Sequence, residues 1–272
     1  MTGFVAMPGS MGPWAGGSVD GGLCVLAGNP GPMTLDGTNT WLIDMDDESV
    51  VLVDPGPDDP GHLAAVQAAL GDRWVREIVL THGHADHSAG ARLFADALRS
   101  RVRAVDPAHR LGAEGLPAGA VIAHADAEIR VVATPGHSAD SVTLHLPRRR
   151  ALLTGDTILG RGTTVVAHPD GRLDEYLDSL HRLADLVARA GVTAVWPGHG
   201  PVLDDAGAVL QAYLTHRQER LAEVEHVARG LDLTIDELTE RVVESVYADV
   251  PRVLWPAAAL SVRAQLEYLG LG

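Results

Sequence analysis

Residues Thr81–Gly90 read THGHADHSAG and place His82, His84, Asp86 and His87 within a stretch of six residues. The run follows the apolar segment Val75–Leu80, which reads as a strand, and leads into Ser88–Leu98, which reads as a short helix. In an α/β protein a strand-to-helix junction is the usual place for a site. His82 and His84 lie two apart in extended backbone, so their side chains project to one side and can share one ion. Asp86 and His87 come as the chain turns into the helix and can face a second position. An H-x-H-x-D-H pattern carries a low risk of chance occurrence for so short a motif.

Three further donors occupy similar places. His137 follows an apolar run in TPGHS, Asp156 follows one in LLTGDT, and His199 follows one in VWPGHG. Each sits beside a glycine, which permits the tight backbone needed to aim a side chain across a sheet edge. The one cysteine, Cys24, excludes a disulfide framework and a thiolate zinc ribbon, so any metal rests on His, Asp and Glu. That donor set points to zinc, with iron or manganese as the other compatible ions.

Singly, each residue has a plainer role. A lone histidine near a strand end is more often a hydrogen-bonded structural residue. Asp156 fits a turn or a helix cap as well as a ligand, and Asp86 fits a helix N-cap. Seven such residues at strand ends are not explained by seven separate coincidences.

The surrounding pattern is α/β. Ser49–Asp54 reads as a buried strand ended by Pro55-Gly56, and Asp59 with Pro60 opens a helix whose Leu63, Val66 and Leu70 share a face. Val102–Val105, Glu128–Ala133, Ser141–Leu146, Ala151–Thr154 and Thr193–Trp196 read as strands. Leu173, Tyr176, Leu177, Leu180, Leu183 and Val187 mark an amphipathic helix. Adjacent strands favour a mixed sheet over an all-parallel one. A boundary is expected near Leu203-Asp204, dividing the chain into 1–203 and 204–272. Beyond it three helices are expected, about 206–229, 234–247 and 256–269, the second with Thr234 and Glu237 at capping-box spacing. They suggest a small helical, winged-helix-like domain whose wing is truncated.

Composition narrows the function classes. Hydrophobic residues make up 46% of the 272, enough for a sizeable core. No apolar run reaches membrane-spanning length, and residues 1–22 lack a basic segment followed by an apolar one, so a cytoplasmic protein without a membrane partner is expected. The net charge is −15, and residues 204–272 hold twelve acidic residues against six arginines. A protein that grips nucleic acid by its backbone usually shows a basic face, and none is visible.

In their order, THGHADHSAG, TPGHS, GDT and PGHG resemble the metallo-β-lactamase superfamily over residues from about 23 to 203. The resemblance implies a four-layer αββα sandwich with two metal ions at one edge of its sheets. It implies that His82, His84 and His137 hold the first ion, that Asp86, His87 and His199 hold the second, and that Asp156 bridges them. Asp54, in VDPG, matches a position that supports the ligand loop, and a turn-capping role suits it as well. NPGPMTLDGTNTWLI (29–43), GDTILGRGTTVV (155–166) and YLTHRQERLAEV (213–224) resemble one branch of the superfamily. It includes the mammalian mitochondrial lactamase-beta-like endoribonuclease and thioesterases that release polyketides from carrier proteins.

Two ions sharing a water would ionise it near neutral pH and polarise a carbonyl or phosphoryl oxygen, with Asp86 orienting that water and taking its proton. Thr38, Asn39, Thr163 and Thr164 are candidates for lining the substrate cleft, with a turn role as the alternative. His168 is a candidate general acid, although an exposed loop histidine is the simpler reading. The first expectation is therefore a dinuclear hydrolase acting on an ester, thioester or phosphodiester, with a small-molecule or acyl-thioester substrate. The alternatives are a single-strand-RNA endoribonuclease, which the charge does not favour, and a non-catalytic metal-holding or regulatory module. β-Lactam hydrolysis ranks low without a secretion signal.

Overall fold

The computed structural model describes residues 12–112 and 114–271, so residues 1–11 of the opening stretch read above for a signal lie outside the described residues. Two six-stranded sheets lie face to face. The first contains β1 (Gly17–Val19), β2 (Gly22–Leu26), β3 (Asn39–Asp44), β4 (Ser49–Val53), β5 (Trp74–Val79) and β6 (Val102–Arg103), in sequence order. Its strands run antiparallel as far as β4, and then β4, β5 and β6 are parallel. The second contains β7 (Val121–His124), β8 (Ala127–Ala133), β9 (Val142–Leu146), β10 (Ala151–Gly155), β11 (Ala194–Pro197) and β12 (Leu203–Asp204). Here only β10 and β11 are parallel to each other.

Three apolar layers hold the sandwich together. Between the sheets, Trp41, Ile43, Val51 and Val53 of the first meet Ile129, Leu144, Leu146 and Leu153 of the second. Trp41 and Trp196 stack there, with ring centroids 5.1 Å apart. On the outer face of the first sheet, Leu42, Leu52 and Ile78 pack on helix α1 (Pro60–Leu70), through Leu63 and Val66, and on Phe94. On the outer face of the second, Leu152 and Val195 pack on the long helix that spans 173–190. β3, β4, β9 and β10 are buried on both faces, which is why β4 and β10 read as apolar runs rather than alternating ones.

The helix expected over Ser88–Leu98 is two helices, α2 (Ala85–Ser88) and α3 (Ala91–Leu98). The chain breaks at Gly90, whose backbone lies against the 55–57 loop and donates to Gly56 O at 2.9 Å. A Cβ there would stand 2.7 Å from Pro57 O, so only glycine lets the two loops touch. The strand expected over Val102–Val105 narrows to two residues. β1, β2 and β3 were not anticipated.

α4 (Leu173–Ala190) is followed by α5 (Ala206–Ala228), α6 (Ile235–Val246) and α7 (Trp255–Tyr268). The capping box of Thr234 and Glu237 is formed. The first half of α5, through Val209, Leu210 and Tyr213, belongs to the apolar layer under α4. Its far end, through Val224 and Ala228, joins α6 and α7 in a small separate core. Among the described residues beyond Asp204 there is no strand, and no described helix is long and apolar enough to cross a membrane.

Candidate metal centre

Seven side chains converge at one edge of the sandwich from the carboxyl ends of four strands. The loop after β5 supplies His82 and His84, and α2 supplies Asp86 and His87. The turns after β8, β10 and β11 supply His137, Asp156 and His199. They form overlapping donor groups: His82, His84 and His137; Asp86, His87 and His199; and Asp156 with His82 and His87. Asp86 lies in the first turn of α2 and does not cap it, because His84 holds the cap position.

In the first group, His84 Nδ1 lies 3.2 Å from His82 Nε2 and 3.0 Å from His137 Nε2. In the second, His87 Nε2 and His199 Nε2 are 3.1 Å apart, and Asp86 Oδ2 is 3.2 Å from His199 Nε2. Asp156 stands between the groups. Its Oδ2 is 3.8 Å from His137 Nε2 and 3.4 Å from His199 Nε2, and its Oδ1 is 3.4 Å from His87 Nε2. That Oδ1 is buried with no hydrogen-bond donor among the described residues.

The remote nitrogen of every histidine is anchored. His137 Nδ1 donates to Val165 O at 2.8 Å, His199 Nδ1 to Gly37 O at 3.1 Å, and His87 Nδ1 to Asp54 Oδ2 at 2.9 Å. His82 Nδ1 faces Thr81 Oγ1 at 3.0 Å, and that hydroxyl already donates to Asp54 Oδ2, so it accepts from the imidazole. His84 turns the other way, with Nε2 at 2.9 Å from Asp170 Oδ2 and Nδ1 facing the group. These partners orient the rings and aim one nitrogen of each of the five imidazoles inward. Ligands of a tetrahedral ion with metal–nitrogen bonds of about 2.0–2.1 Å stand about 3.3 Å apart, close to the separations in the first group. The residues therefore fit divalent cations.

The electrostatics differ between the groups. Burial, with the neighbouring imidazoles His87 and His137, pushes His82 well below its usual value, and burial also lowers His137. Both stay neutral, as ligands must. Burial opposes the charged forms of His87 and His199 too, but the carboxylates outweigh it. Asp156 and Asp54 hold His87 well above the usual range, and Asp156 with Asp86 raises His199 to about 9. Burial works against ionisation of Asp156 as well, and the charges of His199 and His87 bring it well below the usual carboxylate value. The second group thus sits in a field that favours a cation. Gly198 makes room for it: a Cβ there would stand 2.5 Å from Asp156 Oδ1 and 2.7 Å from His87 Cε1.

Asp54 carries much of this scaffold. It is fully buried, sits in left-handed backbone (φ +53°), and accepts from Thr81 N, Thr81 Oγ1 and His87. Of the expected cleft residues, Thr163 and Thr164 line a cavity of about 300 Å³ that also reaches His137 and Asp156. Asn39 does not line it. This side chain is wholly buried and donates to Pro197 O at 2.9 Å and Gly200 O at 2.8 Å. Asn39 therefore holds the turn that carries His199. Thr38 is equally buried and is tied to Asn29. His168 lies apart from the cavity lining, 3.6 Å from Glu267 of α7. Asp170 was missed because only the folded chain brings it to His84.

Residues 33–199 match the metallo-beta-lactamase superfamily, and residues 239–270 match the beta-lactamase associated winged helix domain. The chain is 34% identical over 258 residues to the beta-lactamase-like protein 2 homolog of Caenorhabditis elegans, covering 90% of this chain and 82% of that protein. A beta-lactamase domain protein from Burkholderia ambifaria has the same fold, with a TM-score of 0.78 and 21% identity over 97% of this chain and 93% of its own. TTHA1623, solved in a di-iron-bound form, superposes with a TM-score of 0.54 at 27% identity, covering 67% of this chain and 96% of its own. By its seven converging donors, its two-sheet fold and these matches, the chain belongs to the metallo-β-lactamase superfamily.

Proposed function

We propose that the protein is a dinuclear metal-dependent hydrolase acting on an ester or thioester carbonyl. The observation that carries this reading is the position of Asp156, within 3.8 Å of both histidine groups, at the end of an apolar-walled cavity. Ions held by the two groups would supply an ionised water near neutral pH and polarise the carbonyl. Imidazole and carboxylate donors suit zinc, and the di-iron relative makes iron the competitor to assay.

The protein groups divide the remaining work. Asp86 is the base: its side chain is 31% exposed against 10% for Asp156, so of the two it is the more open to solvent water. Its hydrogen bond with His199 and the charge of His87 offset the cost of burial and keep it ionised. Asp156 holds the groups in register, and Asp54 with Thr81 fixes His82 and His87. Thr164 donates to Asp156 O and Thr157 O, which fixes the loop that borders the cavity.

Phosphodiester cleavage of RNA is less well supported. The balance of −6 over residues 204–272 offers little to track a phosphate chain, and Arg263 already pairs with Asp236 at 2.6 Å. The test is a panel of thioesters, esters, phosphodiesters, single-stranded RNA and a β-lactam offered to metal-replete full-length protein. Thioester or ester turnover, lost to chelator and restored by metal, is expected. Cleavage of RNA with no acyl turnover would refute the proposal.

A further inference from the structure

The cavity beside His137 and Asp156 has mostly apolar walls, among them Leu35, Leu159, Leu254 and Ala258, yet three arginines reach it. Two of these are neutralised by the protein. Arg161 pairs with Asp36, and Arg220 lies 2.9 Å from Glu223. The third, Arg217, has no carboxylate within ion-pair distance among the described residues. It is 5% exposed and donates through one terminal nitrogen to Thr164 O. Its guanidinium lies 4.9 Å from the Tyr176 ring, and its Nε–H is buried without an acceptor.

A buried, permanently charged guanidinium held by one carbonyl and by the ring and hydroxyl of Tyr176, with no carboxylate, is poorly compensated. His216 next to it is neutral, because burial and the two adjacent arginines push it down to about 4. Its Nδ1 is likewise buried and unpartnered. Two unmet polar nitrogens thus come from adjacent residues of α5 on the wall of a cavity that opens on the donor groups.

We propose that Arg217 is a specificity-determining residue that binds a carboxylate carried on the apolar acyl part of the substrate, away from the bond that is cut. The cavity has about 300 Å³ for that acyl part, and its apolar walls suit a hydrocarbon chain better than ribose. The charge already met at Arg161 and Arg220 leaves one uncompensated cation, which matches one anionic group rather than a row of phosphates. This inference rests on the hydrolase reading only in placing the reacting carbonyl at the metals.

The test measures equilibrium binding of straight-chain diacids, succinate to suberate, to metal-replete full-length protein. Each diacid is compared with the monoacid of equal length. Both can reach the metals through one carboxylate, and only the diacid offers a second to Arg217. At one chain length the diacid should bind at least about tenfold tighter, the strength of one charge-assisted hydrogen bond. Arg217→Gln should bring that ratio to about one with monoacid binding kept, and Arg217→Lys should keep part of it.

A ratio near one at every length in the unaltered protein overturns the proposal, whether or not a variant folds. So does a ratio that survives Arg217→Gln, or a dinucleotide that displaces the diacid and depends on Arg217. Diacid preference without acyl turnover would leave the proposal standing and sink the hydrolase reading. Acyl turnover without diacid preference would do the reverse.

Discussion

Replacing Asn39 with alanine separates a scaffold role from a substrate-lining one. The Asn39 amide donates to Pro197 O and Gly200 O, and its Oδ1 accepts from Trp14 Nε1 at 2.8 Å. After truncation Pro197 O keeps the Trp41 indole at 3.1 Å, while Gly200 O, Trp14 Nε1 and the weak donor Cys24 Sγ lose this partner. A buried polar group left unpaired costs about 1–3 kcal/mol, and Trp14 is partly exposed, so the loss is about 3 kcal/mol. For a domain of this size that lowers Tm by about 6–12 °C. His199 rides on the same turn and should be displaced, whereas His82, His84 and His137 come from other loops. Metal-replete protein, dialysed and assayed for metal, should therefore keep about one ion and lose the second. Calorimetric unfolding of the metal-free form gives the stability change without the ligand contribution. An unchanged Tm and metal content with only a raised KM would refute this and return Asn39 to the cleft.

Further tests address the site. Asp156→Ala should take bound metal from about two equivalents to below about one, because both groups lose a carboxylate; two equivalents retained in the variant would remove the bridge. Asp86→Ala should leave the circular dichroism unchanged and cut kcat/KM by far more than tenfold; retention of over about a tenth, a loss under roughly 1.4 kcal/mol, means Asp86 is not the base. The carboxylates around His87 and His199 favour a proton on this imidazole pair, so an ion entering the second group must displace it, and its affinity should rise with pH through the neutral range. Calorimetric titration at pH 7 in buffers of different ionisation enthalpy should show net proton release for that ion, and no release would contradict the assignment. Binding of single-stranded RNA should be weak with a shallow salt slope, and a steep slope lost with Arg263 or Arg252 would favour the nuclease reading.

The ligand-bearing loops were legible because chemistry and periodicity agree there. THGHADH combines rare donors with a strand-to-helix transition, and the later His and Asp residues each end an apolar run. β3 was hidden by its opening residues. Asn39 and Thr40 are polar, and their burial depends on partners elsewhere in the chain, Pro197, Gly200, Asp54 and His62, so NTWLID begins like a loop. The split between α2 and α3 depends on a contact between Gly90 and the 55–57 loop, which no local pattern encodes. Asp170 was invisible because its contact with His84 spans 86 residues. Arg217 did leave a trace. It lies three, four and seven positions after Leu214, Tyr213 and Leu210, on the apolar face of α5, where an arginine is unexpected.

The two halves of α5 serve different cores, and the wall it gives the cavity is separate from the strand ends that carry the donors. Under the proposed hydrolase reading, the donor groups would carry the reaction while α5 to α7 supply one wall of the cavity that selects the substrate. Substitutions at Arg217, His216, Tyr247 or Leu254 should then change which substrate is admitted while His82, His84, His87, His137 and His199 keep their geometry. Under that reading, exchanging the whole of α5–α7 among relatives should move substrate preference as a block, the two cores meeting inside α5 between Leu221 and Val224.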